Sequence, residues 1–206
     1  CSVMNFVTFG EQIDIHGGGR DLLFPHHENE IAQTESLTGK PFAKYWIHNG
    51  LIRVNGQKMS KSLGNSLLME DLRKKYHVEV IKLALLQNSY HTDINITDKL
   101  FEDSEKHLYN FYTVLNEAKK KFGEFARSDK KVEDGFDDAM CDDLNTSKAI
   151  SYLFNIFKEA REKLQNNDKS VMATLNSVIN TYSLLGLFKE IPENFINMVD
   201  KKSEVE

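Results

Sequence analysis

The chain has 206 residues, 40% hydrophobic and 28% charged, with a net charge of −5. That balance suits a globular protein and excludes one that works by sequence-independent phosphate neutralisation, which needs a basic surface. No apolar run reaches the ~18 residues of a membrane-spanning helix, and Cys1-Ser2-Val3-Met4-Asn5-Phe6 lacks the basic flank of a signal peptide. The two cysteines, Cys1 and Cys141, are too few and too far apart for a disulfide framework, and they fit a reducing cytoplasm. A chain that opens on Cys rather than Met is expected to be a segment of a longer protein.

In chain order, residues 12–16 alternate in polarity and read as a short strand running into Gly17-Gly18-Gly19. A helix is expected from about Pro25, since proline suits a first turn, to Gly39, a good terminator. Tyr45, Trp46, Ile47, Leu51, Ile52 and Val54 form a strand-like stretch broken at Asn49-Gly50. Asn55-Gly56 marks a tight turn. Strand, glycine turn, helix and strand is the order of an α/β nucleotide-binding half-domain. From residue 68 the pattern turns helical. One stripe runs Leu100, Leu108, Phe111, Leu115, Ala118, Phe122, Phe125; a second Ile150, Leu153, Phe157, Ala160, Leu164; a third Met172, Leu175, Ile179, Tyr182. These stripes predict an antiparallel bundle, with Thr97 and Thr146 as N-caps and breaks at Asn166-Asn167-Asp168 and Gly186.

Two constellations carry chemistry. In Pro25-His26-His27-Glu28-Asn29-Glu30, His26 and Glu30 share a helix face and can clamp a divalent metal. His27 has Ile31 at that spacing and is the poorer candidate. Taken alone, the pair reads as polar dressing of a helix start, where carboxylates are favoured. The second is Lys58-Met59-Ser60-Lys61-Ser62, which reproduces the signature loop of class I aminoacyl-tRNA synthetases. Mobile lysines there can meet charge developing on phosphate oxygens. Arg73-Lys74-Lys75 and Lys119-Lys120-Lys121 are the sharp positive clusters. They read first as exposed helix faces and second as contacts for an RNA backbone.

The whole string from Asp14 through Gln33, preceded by Cys1-Ser2-Val3-Met4, closely resembles cysteinyl-tRNA synthetases, and Leu63-Gly64-Asn65 after the lysine loop fits too. Phe136-Asp137-Asp138-Ala139-Met140 and Asp143-Leu144-Asn145-Thr146 are similar to that family's entry into its helical bundle. The resemblance implies an α/β fold, the second half of a Rossmann-like class I catalytic domain, followed by an all-α helical bundle. The implied division is 1–67 catalytic, 68–95 a helical connecting region, and 96–206 the bundle.

It implies zinc held by Cys1, His26 and Glu30 with a further cysteine outside these residues, Cys141 not matching it. A thiolate substrate can bind such a zinc where serine, with its harder oxygen, cannot, so selectivity needs no proofreading. It implies ATP, with Mg2+, bound by Lys61, Ser60, Gly18, Gly19 and Asp21. Lys58 and Lys61 are the implied catalytic groups, and His16 and His27 line the same pocket. The implied partners are tRNA(Cys), L-cysteine and ATP, for a cytoplasmic monomer with no membrane contact. The family's His-x-Gly-His motif does not occur in these residues, so the chain alone is expected to be inactive; with the fourth ligand outside them and Cys1 at the chain terminus, it is expected to hold zinc weakly or not at all. Two other readings stay open: a cysteine-activating ligase of the mycothiol pathway, and a non-catalytic module that binds RNA or protein.

Overall fold

The computed structural model describes residues 1–59, 68–126 and 135–203. Ser60, Lys61, Ser62, Gly64 and Asn65 of the signature loop lie outside the described residues, as does the side chain of Lys58. The chain forms two compact units. One lies within Cys1–Ser66 and takes in Tyr90–Ile96; the other lies within Leu67–Ser89 and Thr97–Glu206. The first is α/β and the second is all-α, as the sequence pattern implies. No helix among the described residues is long and apolar enough to cross a membrane.

In the first unit α1 (Ser2–Phe9) leads to β1 (Ile13–Gly19), which continues through the glycines rather than stopping before them. A 3-10 turn (Arg20–Leu22) and a wider turn (Leu23–His27) follow. Phe24 alone in the wider turn has extended backbone (φ −132°, ψ 131°), so the helical direction opens at Pro25, while the regular α2 spans Glu28–Thr38. Gly39 ends α2 at φ 66°, its N–H donating to Glu35 O at 2.9 Å. Left-handed backbone there is what glycine tolerates without a Cβ penalty.

β2 (Ala43–Asn49) pairs in parallel with β1, with Ile13 opposite Ala43, His16 opposite Trp46 and Gly18 opposite His48. Ile13, Phe42 and Ala43 are buried between strands and helix, packed by Ile31 and Trp46. β3 (Ile52–Val54) and β4 (Gln57–Lys58) form a hairpin through Asn55-Gly56, both at positive φ (49° and 82°) as a tight two-residue hairpin turn requires. A fifth strand, β5 (Ile94–Ile96), pairs in parallel with β3. The helical reading from residue 68 onward did not anticipate it, because three residues are too short to show a period.

The second unit holds α3 (Met69–Lys75), α4 (Val78–Leu86), α5 (Asp98–Phe122), α6 (Phe136–Cys141), α7 (Thr146–Gln165), α8 (Val171–Tyr182) and α9 (Pro192–Ser203). The predicted stripes of α5 and α7 are its core: Leu108, Phe111, Leu115, Ala118, Ile150, Leu153, Phe157, Ala160 and Leu164 are all buried. α5 stops at Phe122 before Gly123 (φ 98°), which leaves Phe125 beyond the helix. On α8 the buried apolar set is Val171, Leu175, Val178 and Tyr182, which keeps Leu175 and Tyr182 of the predicted stripe and replaces Met172 and Ile179 by the residues just before them. Thr97 caps α5, its Oγ1 accepting the Leu100 N–H at 3.2 Å. α7 is capped by Asn145 and not by Thr146; Asn145 Oδ1 accepts the Lys148 N–H at 3.1 Å, as an Asn side chain can one position earlier.

One buried acid ties this unit together. Glu79, in the first turn of α4, is 1% exposed. Its oxygens accept the Tyr112 O–H at 2.8 Å and the N–H groups of Phe188, Lys189 and Glu190 at 2.8, 2.8 and 3.1 Å. Burial and the adjacent carboxylate push the Tyr112 phenol far above its usual range, so it remains a donor. Phe188 sits at φ 57°, a conformation costly for a bulky residue, and its amide is one of those Glu79 fixes. Glu79→Ala is expected to lower the unfolding free energy by about 3–5 kcal/mol, since it leaves several buried donors unpaired. Tyr112→Phe should cost about 1–2 kcal/mol. Chemical denaturation of both variants checks the order; equal losses would show that the amide bonds of Glu79 contribute little.

Candidate metal and nucleotide site

α2 places Glu30 one turn beyond His26, so the two side chains share a face, with His26 Nε2 3.9 Å from Glu30 Oε1. Cys1, at the N-terminus of α1, lies beside them. A sulfur, a ring nitrogen and a carboxylate oxygen from Cys1, His26 and Glu30 fall within 4.8 Å of one another. Glu30 is 3% exposed. Its Oε2 is bonded to His16 Nε2 at 2.8 Å, whereas the buried Oε1 has no hydrogen-bond partner among the described residues. An ionised carboxylate in that state costs several kcal/mol unless positive charge reaches it. The spare oxygen faces one imidazole and one thiol, a donor set suited to zinc. The residues therefore fit the metal that the sequence implies.

Histidines surround this acid. His16, His27 and Glu30 make a second group of donor atoms within the same 4.8 Å limit. His27, the poorer candidate by spacing along the helix, is 3% exposed and turned inward, its Nδ1 2.8 Å from His48 Nε2. Burial first, then the proximity of His16 and His48, lowers its pKa, so it stays neutral. Trp46 stacks flat on His48 (5.9 Å, 5° between rings) and meets His16 edge-on at 4.9 Å. It packs against the core and also walls the histidine cluster. No motif marked His48; its one sequence signal is its place opposite the glycine string once β1 and β2 are paired.

The glycine string answers to this cluster as well. A Cβ on Gly18 would lie 2.9 Å from His27 Cε1, and one on Gly19 2.5 Å from Asp21 Oδ1. Side chains at either position would displace the chain's own His27 and Asp21, a requirement separate from any nucleotide.

The basic clusters sit where helix ends attract cations. Arg73, Lys74 and Lys75 form the last turn of α3, and Lys119, Lys120 and Lys121 the last turn of α5. Lys74 pairs with Asp71 at 3.2 Å, Lys75 with Asp98 at 2.5 Å and Lys119 with Glu124 at 2.9 Å; Lys121 donates to Leu164 O at 2.6 Å. Cys141 is exposed on α6, in the other unit from Cys1.

Comparison with known proteins identifies the family. Residues 1–106 match the model for tRNA synthetases class I (C) catalytic domain, and residues 135–189 match a DALR domain. A cysteine–tRNA ligase of Caldicellulosiruptor saccharolyticus is 37% identical over 99% of this chain and 48% of its own length. One from Legionella pneumophila strain Corby is 41% identical over 95% of this chain and 41% of its own length. The chain thus spans just under half the length of these relatives. The fold is shared with the LeuRS of the Agrobacterium radiobacter K84 agnB2 LeuRS–tRNA–LeuAMS complex, at a TM-score of 0.63 and 14% identity, over 89% of this chain and 30% of that one. With a catalytic-domain model matching more than half of its residues, and these ligases aligned along nearly all of it, the chain belongs to the cysteine–tRNA ligase family of class I aminoacyl-tRNA synthetases.

Proposed function

We propose that the protein carrying this chain charges tRNA(Cys) with L-cysteine through a cysteinyl-adenylate. The observation that carries this reading is the buried Glu30 Oε1, left without a hydrogen bond beside Cys1 and His26. Those three residues would hold zinc, which when bound supplies a soft Lewis-acid site that takes a thiolate in preference to a hydroxyl. His16 orients Glu30 by holding its other oxygen. The neutral, buried His27 adds no positive charge to repel the metal.

In the first step the cysteine carboxylate attacks the α-phosphorus of ATP, and pyrophosphate leaves. Gly18, Gly19 and Asp21 bind the adenosine end, Asp21 at the ribose. Ser60 and Lys61, assisted by Lys58, hold the phosphates with Mg2+ and offset the charge that grows on their oxygens. Residues 1–67, joined by Tyr90–Ile96, serve this step; 68–89 and the residues from 97 onward form the helical unit, so the boundaries expected at 95 and 96 give way to the return of β5 to the first unit. The DALR match over residues 135–189 and the naming of the relatives support tRNA as the acceptor in place of an amino sugar. The same reading makes the protein a cytoplasmic monomer.

Cysteine-dependent exchange of pyrophosphate into ATP, measured on the whole protein, tests the activity; exchange driven equally well by serine would refute the zinc assignment. Lys61→Ala is expected to slow exchange about a hundredfold or more, with a smaller effect on ATP affinity. An unchanged rate would remove Lys61 from the mechanism. Zinc affinity, read by competition with a chromophoric chelator, should fall about 10–100-fold in His16→Ala, since an outer partner of a ligand is lost. In Glu30→Ala the loss should be larger. Full affinity in Glu30→Ala would place the metal elsewhere.

A further inference from the structure

We infer that Asp93 is a positioning residue for the nucleotide end of the first unit, fixing the end of the glycine strand and the β3–β4 hairpin in one arrangement. This deepens the reading of that end as an ATP site and rests on it.

The segment that carries Asp93 belongs to no sequence motif, yet it is bonded at both ends and through its middle. Gly50 N–H donates to Tyr90 O at 2.7 Å, Ile94 N–H to Leu51 O at 3.0 Å, and Asn55 N–H to Ile96 O at 3.2 Å. Asn95 Oδ1 accepts the Gly56 N–H of the hairpin turn at 2.8 Å. The approach is close enough to forbid a side chain at residue 50, where a Cβ would sit 2.0 Å from Thr92 O.

Asp93 is the charged centre of this contact. Its Oδ1 accepts from Arg20 Nη2 at 2.6 Å and from the Leu51 N–H at 2.9 Å. Its Oδ2 accepts from Arg53 Nε at 3.1 Å and Nη2 at 3.0 Å. Arg20 follows directly on the last glycine of β1, and Arg53 is the middle residue of β3, whose hairpin partner β4 ends at Lys58. A lone pair between half-exposed side chains would contribute little. Here one carboxylate accepts a backbone amide and separates two guanidinium groups, so all these bonds act together. The Leu51 amide first, then Arg53, holds the Asp93 carboxyl below its usual range. Removing its charge leaves Arg20 and Arg53 facing each other as like charges, and the two segments have an electrostatic reason to part.

The test is Asp93→Asn in the whole protein. Amide hydrogen exchange of residues 52–58 should quicken about tenfold or more, while amides of α5 and α7 keep their protection. In pyrophosphate exchange the KM for ATP should rise roughly ten- to a hundredfold, with the KM for cysteine changed less than about twofold. Arg53→Ala added to Asp93→Asn should restore part of the loss, because it removes the repulsion. Should Asp93→Asn not fold, Arg53→Ala in the otherwise unaltered protein carries the same measurements, as it frees the hairpin while leaving the Leu51 and Arg20 bonds in place. Unchanged exchange in the hairpin, or KM values for ATP and cysteine that rise together, would overturn the proposal. If the unaltered protein shows no cysteine-dependent activity, the ligase reading fails, and hairpin exchange still decides whether Asp93 positions it.

Discussion

The parallel register of β1 on β2 is the constraint from which the site of the first unit follows. With Ile13 opposite Ala43, the pairing brings His16 level with Trp46 and Gly18 level with His48. A slip of one residue would turn every one of these side chains to the other face of the sheet. His16 would then lose Glu30, and His48 would lose His27. The register is fixed by burial of Ile13, Phe42 and Ala43, so the placement of the polar cluster is inherited from an apolar one. The bare backbone at Gly18 lets the His27 ring come down onto the strand.

Two buried carboxylates show how similar positions acquire different roles. Glu30 and Glu79 both stand in the first turn of a helix, and both are at most 3% exposed. Glu79 is saturated by a phenol and three backbone amides, which leaves it nothing to offer a ligand. Glu30 has one oxygen fixed by His16 and one left over. The first is a clasp and the second a half-made site; bonding capacity separates them where burial does not.

Much of this was legible in the sequence. The bundle helices announce themselves because Leu108, Phe111, Leu115 and their counterparts on α7 recur at helical spacing, and long periodic segments leave little ambiguity. The His26–Glu30 pair was readable from spacing, and Cys1 from resemblance. What could not be read is what depends on contacts remote in sequence. β5 has no period of its own and exists because β3 offers an edge. Glu79 looks like an ordinary first-turn acid until the 188–190 turn arrives more than a hundred residues later. Asp93 meets Arg20 across 73 residues. The errors at helix ends are smaller in kind: Asn145 displaced Thr146 as a cap because either side chain could serve and the backbone chose the earlier one.

The return of Tyr90–Ile96 to the first unit has a consequence for biosynthesis. Because α3 and α4 lie between that segment and the rest of its unit, β3 emerges from the ribosome with β4 beside it but must wait for β5. Meanwhile α4 brings out Glu79, whose own partners on α5 and in the 188–190 turn are still to be translated. Neither unit can finish before the other has started, so their maturation on the nascent chain is interleaved rather than sequential. A single cut between 89 and 97 would strip one unit of a strand or leave the other without its buried acid, and the two are better regarded as one inseparable product of translation.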